Sequence, residues 1–274
     1  MSDLNYSLLI KKRGQRGSAS LSNSAHSVNS TNHAPPPFIG LHQGDLRQGD
    51  LQHGLLPGAD RLPDTIAPRT RRIYDQVAKI YPISTFFFHS RAHACALKHA
   101  GIRNGMRVLE VATGSGEMFR RLVHANPEGR TFGLDLSPNM AARTQRRARS
   151  EFPEAQSHCG AVDVRNLPFR SASFDAVVCC YLFELLSHDD IRLTLGEICR
   201  VLRAGGTFSL VVIGENGKFF NWLYNFAGGL APAFWGRQVE RASLQLIEAS
   251  GLQIVNIQPV RQSGYPSRVL VARR

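Results

Sequence analysis

Short apolar runs alternate along this chain with segments of helical period. Val108-Leu109-Glu110-Val111 is an apolar run interrupted by one acid, and Ala112-Thr113-Gly114-Ser115-Gly116 follows as a loop of small residues. From Glu117 to His124 the apolar positions recur at helical spacing. Arg130 to Asp135 reads as a second strand ending in an acid; Ser137-Pro138 then supplies an N-cap and a first-turn proline. Gly160-Ala161-Val162-Asp163-Val164 reads as a third strand, and Ser173 to Tyr181 as a fourth, apolar enough to be buried on both faces. A helix is predicted from Ile191 to Leu202, opened by a Ser187/Asp190 capping box and stopped at Arg203-Ala204-Gly205-Gly206. Thr207 to Ile213, Leu252 to Pro259 and Ser267 to Ala272 complete the strands, with a helix from Val239 to Ala249. Strands alternating with helices in this way predict an α/β domain with helices on both faces of a mostly parallel sheet.

The first loop carries chemistry. Gly114 and Gly116 have no side chain, so the backbone there can approach a ligand closely. The helix behind them offers unpaired N–H groups. A dinucleotide loop asks for G-x-G-x-x-G, but the residue three after Gly116 is Phe119. The alternative is the E/D-x-G-x-G-x-G loop of S-adenosylmethionine enzymes. Here it reads Glu110-x-Ala112-x-Gly114-x-Gly116, with Thr113 inside it and only the first glycine replaced. An acid at the strand end suits a ligand with an ammonium and a sulfonium, and would repel a pyrophosphate. Asp135, nineteen residues after Gly116, is placed to accept the two hydroxyls of a ribose. Leu136 and Met140 either press on the adenine or belong to the core. Asp163 either accepts a hydrogen bond from the adenine amino group or caps a turn.

Taken in order, V-L-E-V-A-T-G-S-G, G-L-D-L-S-P-N-M, D-V-R-N-L-P-F, S-F-D-A-V-V and R-V-L-R-A-G-G-T-F resemble a class I methyltransferase. The pattern is most similar to the group of ubiquinone/menaquinone biosynthesis methyltransferases and bacterial phospholipid N-methyltransferases, and covers about residues 70–274. The resemblance implies a Rossmann-like sheet of seven strands with the last antiparallel, and S-adenosyl-L-methionine as cofactor. By position it assigns Glu110, Gly114 and Gly116 to the methionine part, Asp135 to the ribose and Asp163 with Val164 to the adenine edge. It places Cys180 or Tyr181 on the floor near the sulfonium. Tyr74 to Tyr81, followed by Phe86 to His89, resembles the family's leading helix, whose tyrosine approaches the cofactor. Tyr81 is the candidate, although Pro82 stands where the family has aspartate.

Composition divides the chain into a tail and a domain. Residues 1–65 contain Lys11-Lys12-Arg13, a Ser/Asn-rich stretch, Pro35-Pro36-Pro37 and a tandem Gln-Gly-Asp-Leu repeat. Such a segment buries too little apolar surface to offset its chain entropy, so it is expected to be disordered, with the domain over residues 66–274. No run of eighteen apolar residues is present to span a membrane. The five cysteines form no C-x-x-C pair, which fits reduced thiols and a cytoplasmic protein. Net charge is +12, with Arg143, Arg146, Arg147, Arg149, Arg273 and Arg274 as sources of a basic face. That balance favours anionic surfaces, either nucleic acid or the cytoplasmic leaflet of a membrane. No nucleic-acid-binding module accompanies it.

The acceptor side is less defined. The run from Phe219 to Trp235 holds both tryptophans and is broken by glycine and proline; it reads as a lid that covers a lipophilic acceptor, meets the bilayer interface or folds down to complete the core. His89 and His93 have i, i+4 spacing, but no third ligand accompanies them and no metal site is expected. Glu184 is a base or a loop cap, and no catalytic residue is assigned. The expected function is methyl transfer to a small lipophilic acceptor resembling a quinone precursor or a phospholipid. The rivals are a catalytically inactive cofactor-binding scaffold and a nicotinamide oxidoreductase.

Overall fold

Val108, Leu109 and Val111 are fully buried, and the strand they form, β1 (Arg107–Val111), lies inside a seven-stranded sheet. The computed structural model describes residues 81–215, 238–263 and 265–274, with side chains from residue 89 onward. The predicted tail, residues 66–80 and the aromatic run Phe219 to Trp235 lie outside the described residues. Helix α1 (Tyr81–His99) precedes β1. Then come α2 (Glu117–Ala125), β2 (Arg130–Asp135), α3 (Pro138–Glu151), β3 (Gln156–Ala161) and β4 (Phe174–Cys180). A short 3-10 turn (Phe183–Leu185), α4 (His188–Val201), β5 (Leu202–Ile213), α5 (Glu240–Ala249), β6 (Gln253–Gln262) and β7 (Tyr265–Arg273) follow.

The sheet order is β3-β2-β1-β4-β5-β7-β6. Strand β1 pairs in parallel with both β2 and β4, while β7 runs antiparallel between β5 and β6. The antiparallel last strand implied by the resemblance is present. Strand order reverses between β1 and β4, so a crevice opens at their carboxyl ends.

Side chains alternate across the sheet with period two. Leu109, Val111, Val177, Cys179, Phe208 and Leu210 pack on one face with Ile191, Leu195 and Ile198 of α4. Val108, Val178 and Val211 pack on the other with Ala92 and Ala96 of α1 and Met118 and Leu122 of α2. The neighbouring thiols of Cys179 and Cys180 thus point to opposite faces. Ser137 accepts the Met140 N–H at 3.3 Å, and Ser187 accepts the Asp190 N–H at 3.0 Å, so both expected caps form.

Two strands differ from expectation. The third is Gln156–Ala161, upstream of the predicted Gly160–Val164. As an edge strand it tolerates polar residues such as Gln156 and His158, so apolarity is a poor guide there. Val162 and Val164 are buried because the loop leaving β3 turns them into the core. Strand β5 begins at Leu202 and continues through Gly205-Gly206, where a stop was expected. A register shift between Phe174 and Ala176 absorbs the extra length, with Gly205 at φ +75°.

Candidate active site

The loop after β1 is built from left-handed backbone: Ala112 has φ +62°, Gly114 +49° and Gly116 +77°. Backbone N–H groups of the loop tie it down. The Thr113 N–H donates to the Leu134 carbonyl at 2.9 Å, and the Gly116 N–H to the Thr113 carbonyl at 2.8 Å. The Gly114 N–H donates to Asp135 Oδ2 at 2.8 Å. Gly116 also has no room for a side chain, since a Cβ would stand 2.8 Å from Thr144 Oγ1 of α3. It caps α2 without a side-chain hydrogen bond to the first turn. Where a dinucleotide loop has its third glycine, Phe119 is fully buried. Gly133 of β2 makes room for that ring: a Cβ there would lie 2.8 Å from Phe119.

Two acids face this loop from the strand ends. Glu110 is 1% exposed, and its Oε2 has no hydrogen-bond partner among the described residues. Burial, reinforced by the charge of Asp135, pushes its carboxyl well above the usual range. A cation placed against it would return it to the ionised form. Asp135 is already oriented, with Oδ1 accepting the Ser137 N–H at 2.9 Å and Oδ2 the Gly114 N–H. Glu110, Ala112, Thr113, Gly114, Gly116 and Asp135 therefore converge at the carboxyl end of β1 and β2, as their spacing predicts.

Asp163 lies two residues beyond β3, and Arg165 grips it. The Arg165 N–H donates to Asp163 Oδ1 at 2.9 Å, and Nη2 to Oδ2 at 2.7 Å. Arg165 Nη1 also reaches Asp190 Oδ1 in the first turn of α4, at 2.7 Å. Sequence reasoning passed over Arg165; the close Asp-x-Arg spacing was its one signal. Val164 and Met140 are buried and Leu136 is partly buried, flanking Ser137 and the β3 exit.

Beyond β4 the chain turns sharply at Tyr181, which has φ +54°. Its N–H donates to the Val211 carbonyl at 2.8 Å. Its hydroxyl shares a 2.7 Å hydrogen bond with Ser267 Oγ, and its ring stacks on His89 with centroids 4.0 Å apart. Burial pushes the Cys180 thiol up, so it stays neutral. Glu184 is a cap: its Oε1 accepts the Ile213 N–H at 2.6 Å, and burial raises its pKa to about 7. His89 and His93 sit with rings 6.2 Å apart, packed against Tyr181. Tyr81 opens α1. Arg147, one of the basic-face candidates, is bound to Glu117 and Glu151 at 3.5 and 3.0 Å.

Residues 108–206 match the family model described as a methyltransferase domain. A 2-phytyl-1,4-naphtoquinone methyltransferase of Nostoc sp. is 29% identical over 49% of this chain and 60% of its own length. A demethylmenaquinone methyltransferase of Deinococcus radiodurans is 32% identical over 54% of this chain and 56% of its own. The chain spans about three fifths of the length of the curated relatives it matches. Among solved structures, the geranyl diphosphate C-methyltransferase of Streptomyces coelicolor superposes with a TM-score of 0.60. That match covers 77% of this chain and 100% of the other at 13% identity, and so establishes the fold alone. A SAM-dependent methyltransferase from Aquifex aeolicus gives 0.53 at 17% identity, over 75% of this chain and 97% of the other. Residues 108–206 are thus similar to a methyltransferase domain, and the glycine loop, the paired acids and the reversal of strand order at β1 and β4 lie within or beside that stretch on a fold shared with solved methyltransferases.

Proposed function

We propose that the chain transfers a methyl group from S-adenosylmethionine to a small lipophilic acceptor of the quinone-precursor kind. The observation that carries this is Glu110: a buried carboxyl with an unpartnered oxygen, one residue before the end of β1, beside an oriented Asp135. A buried acid without a partner is costly, and a ligand cation offsets that cost. S-adenosylmethionine supplies an ammonium for such an acid and a methyl group already activated by the sulfonium.

The protein's own residues then bind and align. Glu110 would hold the ammonium, the first-turn N–H groups of α2 the carboxylate, and Asp135 the ribose hydroxyls. Asp163, held by Arg165, would lie at the adenine edge. Cys180 and Tyr181 close the floor with neutral groups. Alignment and exclusion of water supply most of what an in-line transfer needs. The lipophilic acceptor is supported by the phytyl-naphthoquinone and demethylmenaquinone in the relatives' names and by the aromatic composition of residues 219–235. Contact with an anionic membrane surface is the corresponding proposal for the exposed Arg146 and Arg149.

The test is calorimetric titration of the full chain with S-adenosylmethionine, with Asp135→Ala as control. Binding near micromolar Kd, weakened at least about tenfold by the substitution, supports the reading. No binding by folded protein overturns it. Binding without methylation of any quinol or lipid acceptor would leave a scaffold.

A further inference from the structure

Strand β3 forms one edge of the sheet, and its inner side pairs in parallel with β2, His158 opposite Phe132. Among the described residues no strand lies on its outer side. The backbone groups on that side nevertheless have a partner. Gln145, in the middle of α3, reaches over the edge: its Nε2 donates to the Ser157 carbonyl at 3.0 Å, and its Oε1 accepts the Cys159 N–H at 2.5 Å. A further parallel strand would bond those same two groups, through the N–H and C=O of the one residue opposite His158. A side-chain amide suits the place because it carries a donor and an acceptor on one carbon. Ser157 is 5% exposed, so its carbonyl would be costly to leave unpaired.

We propose that Gln145 closes the β3 edge against sheet growth: by holding the rung opposite His158, it keeps a second copy of this chain from adding a strand there. The two edges of the sheet differ in a way that supports this. Strand β6, at the other edge, is interrupted by a register shift between Ile254 and Asn256 and by Pro259, which has no N–H. Strand β3 has none of the usual interruptions. Gln156–Ala161 contains no proline, lysine, arginine or acid, and its register with β2 is unbroken. Its protection comes instead from the neighbouring helix. A second copy is the strand to be kept out, because each copy presents the same outward groups and an open edge is complementary to its own kind. This closure is independent of what binds in the crevice at β1 and β4.

The experiment follows hydrogen exchange at the Cys159 amide of the full chain by NMR, in dilute and in concentrated solution, with sedimentation velocity alongside. Wild type is compared with Gln145→Met, which keeps the length of the side chain and removes both polar atoms. Gln145→Glu at neutral pH keeps an acceptor for Cys159 and adds a charge to the edge. Wild type should protect the Cys159 amide at both concentrations. In dilute solution Gln145→Met should exchange it at least about fivefold faster. In concentrated solution the same variant should regain protection, as a second copy supplies the missing acceptor, and sediment faster than wild type. Gln145→Glu should keep protection within about twofold of wild type and stay unassociated, a rescue that lost packing at residue 145 would not give. If Gln145→Met does not fold, Gln145→Ala at this half-buried helix position makes the same comparison. Fast exchange at Cys159 in wild type, or equal exchange in the Met or Ala variant, overturns the pairing role of Gln145. Faster exchange without concentration-dependent association overturns the block against a second copy.

Discussion

Ala112 shows how one residue can record both a motif and a departure from it. It stands where the E-x-G-x-G-x-G loop has its first glycine, and its φ of +62° explains why glycine is favoured there. The left-handed region costs a side-chain-bearing residue about 1–2 kcal/mol. Ala112→Gly is therefore expected to raise stability by about 1 kcal/mol in urea unfolding, the unfolded chain's added entropy taking back the rest. Glu110 makes the opposite trade. Glu110→Gln removes a group whose ionised form burial disfavours, so the ligand-free protein should unfold at higher denaturant at pH 8. The same change removes the negative charge proposed to meet the ammonium, and S-adenosylmethionine binding should weaken at least about tenfold by titration. A gain in both properties would separate Glu110 from the cofactor.

At the scale of elements, α4 organises the loop that leaves β3. Arg200 donates to the carbonyls of Phe169 and Leu167 at 2.7 and 3.0 Å, and Glu197 accepts the Leu167 N–H at 2.7 Å. Arg165 joins Asp163 to Asp190, whose carboxyl is held below its usual range by Arg165 and Ser187 despite its burial. The side chains of Arg165, Asp163 and Asp190 are only 10%, 18% and 12% exposed, so removing the cation leaves two acids facing each other out of water. Arg165→Met is expected to cost about 3 kcal/mol in chemical denaturation, in the range for breaking a buried ion pair. Restoring nearly all of that in an Arg165→Met/Asp163→Asn/Asp190→Asn triple variant would identify the stranded acids as the cause.

At the scale of the whole molecule, two pH dependences oppose each other. His89 and His93 have folded pKa values of about 4 and 3 against 6.5 unfolded. The unfolded chain takes up protons first as pH falls below 6.5, so the stability these residues support above 6.5 is lost in acid. Glu184 behaves in reverse: its folded value of about 7 exceeds 4.5 unfolded, so its contribution is full below 4.5 and fades as pH rises through 7. Glu184→Gln should therefore gain on wild type as pH rises from 4.5 to 7, by about 1.4 kcal/mol per pH unit at most. His93→Phe should gain on wild type as pH falls from 6.5 to 4. Thermal unfolding of the three proteins from pH 4 to 8 checks both, and parallel curves would contradict the argument.

The chain's local chemistry was enough to locate the glycine loop, the acids at the ends of β1 and β2, the caps at Ser137 and Ser187 and the burial of β4 on both faces. Each depends on neighbours in sequence: a side chain reaching its own backbone, a left-handed turn, or an apolar run with no polar face. The edge strand β3 was misplaced because its pairing with β2 does not require apolar residues. The course of β5 through Gly205-Gly206 was missed because a glycine pair serves a stop and a bulge equally well. Only tertiary structure brought His89, Tyr181, Tyr265 and Ser267 together, since the antiparallel β7 delivers its first residues to the edge where β4 delivers its last. Only tertiary structure left Glu110 Oε2 without a hydrogen-bond partner among the described residues, because whether a buried acid is satisfied depends on what the other strands and helices place around it.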